Sequence, residues 1–364
     1  MVMVEAGVSY FNERTLRHVR DDLRDMVEHG CSYVVHCFTE SDVLWYRETM
    51  REVIQATHDA GLEAWLDPWA VMGIFGGESL SRFLVDHPDA WQVGTDGRRY
   101  PAACPNHPET RRAMREWVRA CAEAGGDVVF WDEPHFAGAP MEVVRAGGYV
   151  CYCDWCQQKF RRSARRPMPS VMNEEVRRFR ELFLLEFLTE MCGEAQRLGL
   201  RNALCLIPTD FEGAGLDAYA ERVRRWWEQQ GVFRERPWLE FGIADWDAAA
   251  SIAGLDIFGC DPYWYAAKAE PEPFVRAFSR RAVAVAETHG RQSQIWVQAF
   301  AVPEGREEEL AMGVRVAAEE GANYVAAWSY EGTASMSAIR CARPDVVWET
   351  LGRAFREVRG LPSD

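Results

Sequence analysis

Val128-Val129-Phe130-Trp131-Asp132-Glu133-Pro134-His135 runs four apolar residues into two acids, a proline and an imidazole. An apolar run this short, with no polar alternation, reads as a β-strand buried on both faces, and the proline ends it. Asp127 to Glu133 is one of eight such segments. The others are Glu5 to Tyr10, Ser32 to Phe38, Leu62 to Asp67, Asn202 to Ile207, Asp256 to Asp261, Gln294 to Ala299 and Asn323 to Tyr330. Segments of helical period lie between them. Glu13 to His29 carries Leu16, Val19, Leu23, Met26 and Val27 on one face, and Glu307 to Glu320 carries Leu310, Val314 and Ala317. Gly30, Gly61, Gly199 and Gly321 stand where a left-handed helix stop is expected before the next strand. Eight alternations without a G-x-G-x-x-G or P-loop predict an α/β fold of the (β/α)8 barrel type rather than an open doubly wound sheet.

The 364 residues suit one such barrel with insertions, and residues 1–364 are read as a single domain. Two connections are too long for simple crossovers: Pro68 to Glu109 after strand three and Pro134 to Pro169 after strand four. Loops that follow strands build the functional face of a barrel, so both insertions are expected there. The 56 acidic and 41 basic side chains give a net charge of −15, and no basic cluster is interleaved with stacking aromatics. A nucleic-acid partner is therefore not expected. No apolar run is long enough to span a bilayer, and Met1 to Glu5 does not resemble a secretion signal. Eleven scattered cysteines are unlike a secreted disulfide scaffold. The expectation is a soluble cytoplasmic protein with no membrane partner, and a homo-oligomer is left open.

The strand ends carry the chemistry. Strand three ends in Asp67-Pro68-Trp69, strand four in Asp132-Glu133-Pro134-His135, strand six in Asp261-Pro262-Tyr263-Trp264, strand seven in Gln298 and strand eight in Trp328-Ser329-Tyr330-Glu331. Asp-Pro also simply begins turns, and a single Trp is usually core packing. Together, acids interleaved with Trp69, Trp131, Tyr263, Trp264, Trp328 and Tyr330 suit a carbohydrate, whose hydroxyls take charged hydrogen bonds and whose C–H faces pack on rings. Only His36 and His135 lie near strand ends, too few for a histidine-rich catalytic metal site, and His36 reads as a core residue.

Cys151, Cys153 and Cys156 form C-x-C-x-x-C in the second insertion, and Cys104 stands in the first. Three thiolates at this spacing converge on one ion and the fourth can close a tetrahedral structural zinc site, within a Cys-rich insertion at about 134–169. The other seven cysteines read as small buried hydrophobes.

Gly97-Arg98-Arg99-Tyr100, Cys104-Pro105-Asn106 and Cys151-Tyr152-Cys153-Asp154-Trp155-Cys156-Gln157-Gln158-Lys159-Phe160 resemble segments of the family 42 glycoside hydrolases, β-galactosidase-type barrels of the large retaining clan. The likeness is specific over about residues 101–160. It implies the barrel, the zinc and an acid/base glutamate at the end of strand four, where Glu133 follows Asp132 in place of the clan's asparagine. The clan's nucleophile ends strand seven, where this chain has Gln298, which cannot ionise.

The expected function is hydrolysis of an O-glycosidic bond, with Glu133, flanked by Trp131 and Asp132, as a general acid/base of raised pKa. The second carboxylate must then come from another strand: Glu331 first for its reach, Asp261 close behind. Substrate contacts are expected from Asp67, Trp69, Asp132, His135, Tyr263, Trp264, Gln298, Trp328 and Tyr330. The alternative is a barrel that binds a small carbohydrate without cleaving it, with Gln298 in the nucleophile's place.

Overall fold

A computed structural model describes residues 4–362 of the chain. Each expected strand segment forms a strand. In chain order the strands are β1 (Glu5–Tyr10), β2 (Tyr33–Cys37), β3 (Glu63–Asp67), β4 (Trp91–Val93), β5 (Arg99–Ala103), β6 (Val128–Asp132), β7 (Arg201–Leu206), β8 (Ile257–Cys260), β9 (Gln292–Gln298) and β10 (Tyr324–Trp328). Eight of them close a parallel barrel in the order β1-β10-β9-β8-β7-β6-β3-β2, and β4 and β5 pair as an antiparallel hairpin outside it. Glu5 opposite Tyr324 closes the ring, and Cys37 opposite Asp67 sets the register on which the acids depend.

Alternation along each strand sorts side chains into two layers. Tyr33, Val35, Cys37, Trp65, Val128, Phe130, Trp296, Tyr324, Ala326 and Trp328 fill the interior. Ala6, Val8, Val34, Leu66, Val129 and Trp131 face the surrounding helices. Tyr33 stacks on Trp65 at 4.5 Å and Trp65 meets Tyr324 at 5.3 Å, so the lower barrel is packed and only its upper mouth can admit a ligand.

The helices follow the sequence period closely. Leu16–Glu28 buries Val19, Leu23 and Met26, while Val27 is 42% exposed and leaves the expected face. Glu308–Glu319 buries Leu310, Val314 and Ala317. Gly199 and Gly321 take φ of +86° and +93° just before β7 and β10, as the helix stops require. No helix among the described residues is long and apolar enough to cross a membrane.

Both expected insertions lie beyond strand ends, and they are tied together. Tyr152 donates its backbone N–H to Val93 at 2.6 Å and Thr95 to Tyr149 at 3.1 Å, so the second insertion adds to the edge of the β4–β5 hairpin. A third long connection, residues 207–256, escapes the sequence reading because its helix Asp217–Gln229 resembles an ordinary crossover. It joins the same face: Phe136 N–H donates to the Phe241 carbonyl at 2.8 Å. Arg180, on the long helix Glu174–Arg197, donates to the carbonyls of Glu240 at 2.8 Å and Val150, with its guanidinium 4.3 Å from the Phe136 ring centre. Burial lowers its pKa to about 10.

Candidate active site

Asp67 lies two residues beyond inward-facing Trp65, and Asp132 two beyond inward-facing Phe130, so strand parity alone aims both into the barrel mouth. Asp67 is fully buried; its Oδ2 faces the Cys37 thiol at 3.6 Å and its Oδ1 has no donor. Glu133 takes φ of +41°, a left-handed conformation that costs a non-glycine residue about 1–2 kcal/mol. The turn at Glu133 keeps its carboxylate with that of Asp132 instead of on the opposite face. A Cβ at Gly76 would lie 2.4 Å from Asp132 Oδ2 and 3.3 Å from Glu133 Oε2, so both acids lie against the backbone of the first insertion. Gly76 N–H holds that backbone to the Asp132 carbonyl at 3.0 Å.

Asp261, past the end of β8, is 3% exposed; its carboxyl is in hydrogen-bonding contact with that of Glu133, and its Oδ1 has no donor. Glu78, which sequence reading passed over, completes the group. It accepts from the indole Nε1 of Trp69 at 3.2 Å and faces Glu133. Its only sequence signal was a position in a glycine-rich insertion after a strand. Burial pushes the carboxyls of Asp67, Asp132 and Asp261 well above the ordinary range, and the neighbouring carboxylates push them further. Burial raises Glu78 as well, against the opposing bond from Trp69.

Aromatic rings border the acids. Phe11 stacks on Trp69 at 5.2 Å and on Trp328 at 5.9 Å, and Tyr263 meets Phe300 edge to face at 5.1 Å. Phe11 and Phe300 carried no sequence signal, because each stands just past its strand without a neighbouring acid or proline.

Other expected residues lie elsewhere. Glu331 is exposed and its charged neighbours are Asp22 and Asp25, so it does not face Glu133. Tyr330 lies past the end of β10 in a turn that carries it outward, where it donates to Asp25 Oδ2 at 3.0 Å and packs on Trp348. Trp264 is fully buried in the outer layer, donating to Glu309 Oε2 at 3.1 Å. Trp131 likewise faces the helices and donates to Asn202 Oδ1 at 3.0 Å, so the groups flanking Glu133 are acids rather than that indole. His135 bonds the Glu133 carbonyl through Nδ1 at 2.6 Å, and its backbone N–H reaches the Ile74 carbonyl at 2.8 Å. Gln298 is buried at the end of β9 with both ends of its amide engaged. His36 is a core residue bonded to Thr57 Oγ1 at 2.9 Å.

Cys104, Cys151, Cys153 and Cys156 are buried, with sulfur atoms all within 4.8 Å of one another. Cys104 Sγ lies 3.5 Å from Cys156 Sγ and 3.4 Å from Cys153 Sγ. These spacings are far beyond a disulfide bond and near the edge of about 3.8 Å that four Zn–S bonds of 2.3 Å would define in a tetrahedron. Asn106 Nδ2 donates to Cys156 Sγ at 3.3 Å, as a group supporting a thiolate would. The donor set is compatible with a metal site joining the two insertions.

No family model matches the chain, and no curated protein sequence matches it. Solved structures do. The catalytic domain of β-amylase from Paenibacillus polymyxa superposes with a TM-score of 0.63 at 12% identity, over 97% of this chain and 99% of that one. The endo-1,4-β-mannanase from Rhizomucor miehei gives 0.60 at 10% identity over 98% and 95%. The glycoside hydrolase domain of PgaB (BpsB) from Bordetella bronchiseptica gives 0.59 at 12% identity over 99% and 100%. The chain shares its barrel fold with glycoside hydrolases.

Proposed function

We propose that the protein hydrolyses a glycosidic bond at the acidic mouth of the barrel, with Glu133 as proton donor and Asp261 as the second carboxylate. The observation that carries this reading is the contact between these two acids in a mouth bordered by aromatic rings. Two carboxylates in contact resist ionising together. Glu133 protonates the departing oxygen, which would otherwise leave as a poor alkoxide. The charged partner then stabilises the oxocarbenium-like transition state.

Retaining pairs stand roughly 5–5.5 Å apart and inverting pairs roughly 6.5–9.5 Å apart. The separation that holds with a sugar bound decides the stereochemical outcome. Gln298 has no part in bond formation, and the clan's double displacement through strand seven is not carried over. A barrel that only binds sugar would have no carboxylate opposite Glu133; the presence of Asp261 favours hydrolysis. The four cysteines hold a structural zinc that fixes the two insertions and takes no part in the reaction, as in the family 42 enzymes that residues 101–160 resemble.

The experiment is a glycoside screen of the wild-type protein followed by turnover of Glu133→Gln and Asp261→Asn on whatever substrate it reveals. Loss in both with retained folding supports the assignment. Full activity in Glu133→Gln overturns it, and sugar binding without cleavage in any case favours the binding protein.

A further inference from the structure

Five carboxyl groups meet at the mouth, and what is missing around them is informative. Among the described residues, the charged groups that act most strongly on Asp67, Asp132 and Asp261 are other carboxylates. Buried charge is ordinarily paired, and over the rest of this chain arginines stand against acids in ion pairs such as Arg177–Glu181 and Arg234–Glu240. The mouth breaks that pattern.

A second observation is independent of the charge. Among the described residues, Asp67 Oδ1 and Asp261 Oδ1 are buried with no hydrogen-bond partner, in residues 0% and 3% exposed. Ser9 Oγ is in the same condition; it lies on β1 between Val8 and Tyr10, which face outward, and so on the barrel's inner side. Leaving such atoms unpaired costs about 1–3 kcal/mol each, which a donor-rich ligand would recover.

The acids do not converge as ligands of a metal ion. Among the described residues, the only group of three or more metal-binding side chains with atoms within 4.8 Å of one another is the cysteine cluster. Acids distributed around a mouth suit an extended ligand that brings cationic charge together with several hydroxyls. The neighbouring rings of Phe11, Trp69 and Trp328 suit both a sugar face and a cation.

We propose that the sugar taken at this mouth carries a free amine, so that the ligand is an amino-sugar glycoside in its ammonium form rather than a neutral or N-acylated one. This rests on the carbohydrate reading of the same site. An ammonium brings three donors and one positive charge to a group of acids whose main charged neighbours are other acids, while hydroxyls satisfy the remaining oxygens. An N-acyl group removes the charge and adds bulk and an acceptor oxygen where acceptors already crowd. Burial-raised carboxyls hold protons when the site is empty, and the ammonium takes over their role in limiting repulsion.

The test is calorimetric binding of matched oligosaccharides of gluco and galacto configuration in three forms: free amine, N-acetyl and hydroxyl. The amine should bind at least tenfold tighter than both analogues, with the preference shrinking as salt rises. Asp132→Asn and Asp67→Asn, shown folded by their melting curves, should reduce that preference severalfold while changing binding of the hydroxyl form less. Equal or tighter binding of the N-acetyl or hydroxyl form overturns the proposal, as does competition by micromolar Ca²⁺ or Mg²⁺ that reveals a metal site. Turnover on the same compounds separates the two claims. Preferred binding of the amine without cleavage sinks hydrolysis and leaves this inference standing; Glu133-dependent cleavage of a neutral sugar with no preference for the amine does the reverse. Binding of none of them overturns both.

Discussion

Gln298 accepts a hydrogen bond from the backbone N–H of Tyr265 at 3.1 Å. Its amide nitrogen donates in turn to the Phe300 carbonyl, also at 3.1 Å. One buried side chain thus links the loop after β8, which carries Tyr263, to the loop after β9, which carries Phe300. An amide suits this task because it both accepts and donates.

Gln298→Ala should therefore lower stability by about 1–3 kcal/mol, the usual cost of leaving buried backbone groups unpaired. Gln298→Glu should fare no better, since an ionised carboxylate cannot donate to Phe300. Urea titrations of the two variants check this. Restoration or gain of glycosidase turnover in Gln298→Glu would show instead that the position serves the reaction.

Glu133→Gln should reduce turnover of ordinary glycosides by about 10²–10⁴, the contribution of a positioned acid, with partial sparing of substrates whose leaving group departs without a proton. Glu331→Gln is the control. Its carboxylate lies with Asp22 and Asp25, so kcat/KM should stay within about twofold of wild type. A dead Glu331→Gln enzyme would return that residue to the reaction.

Gly76→Ala tests the backbone wall behind the acids. The added methyl would lie 2.4 Å from Asp132 Oδ2, so the carboxylate must move. The expected result is a melting temperature within a few degrees of wild type and a large loss of kcat. Unchanged kcat would mean that the position of Asp132 is unimportant.

Asp67 predicts a pH dependence of stability. Its folded pKa lies above the unfolded value near 3.9 because burial favours the neutral acid. The folded state then binds the proton more tightly than the unfolded state does. Its contribution is fully present below the unfolded pKa and is lost as pH rises toward the folded one, at about 1.4 kcal/mol for each pKa unit. Asp67→Asn, which cannot ionise, should gain on wild type as pH rises from about 4 toward neutrality. Parallel melting curves across that range would contradict a buried neutral Asp67.

Removal of metal should loosen the insertions rather than act on the chemistry directly. Protein purified without chelator should contain about one zinc per chain, as a four-thiolate site implies. Cys153→Ser should cost several kcal/mol of stability and increase proteolysis within residues 91–165. Metal-free protein with unchanged melting would overturn the zinc assignment.

The eight barrel strands, the helix faces and the cysteine quartet were legible in the sequence because each rests on a local pattern: strand length and apolarity, a period near 3.6, or a short ligand spacing. Parity along the observed strands puts Asp67 and Asp132 on the face of Trp65 and Phe130. What one-dimensional order does not carry is the path of a chain after its strand ends. Glu331 and Glu133 both follow a barrel strand closely, yet the turn at Tyr330 takes Glu331 toward Asp22 and Asp25, while the turn at Glu133 keeps its carboxylate over the mouth. Trp264 and Trp131 stand beside acids in sequence but pack among the helices. Glu78 and Gly76, separated from Glu133 by more than fifty residues, reach the acids only because the first insertion folds back over the barrel. Local period and spacing determined the scaffold; long-range packing, which satisfies the buried backbone and fills the space between layers, decided which acids share a site.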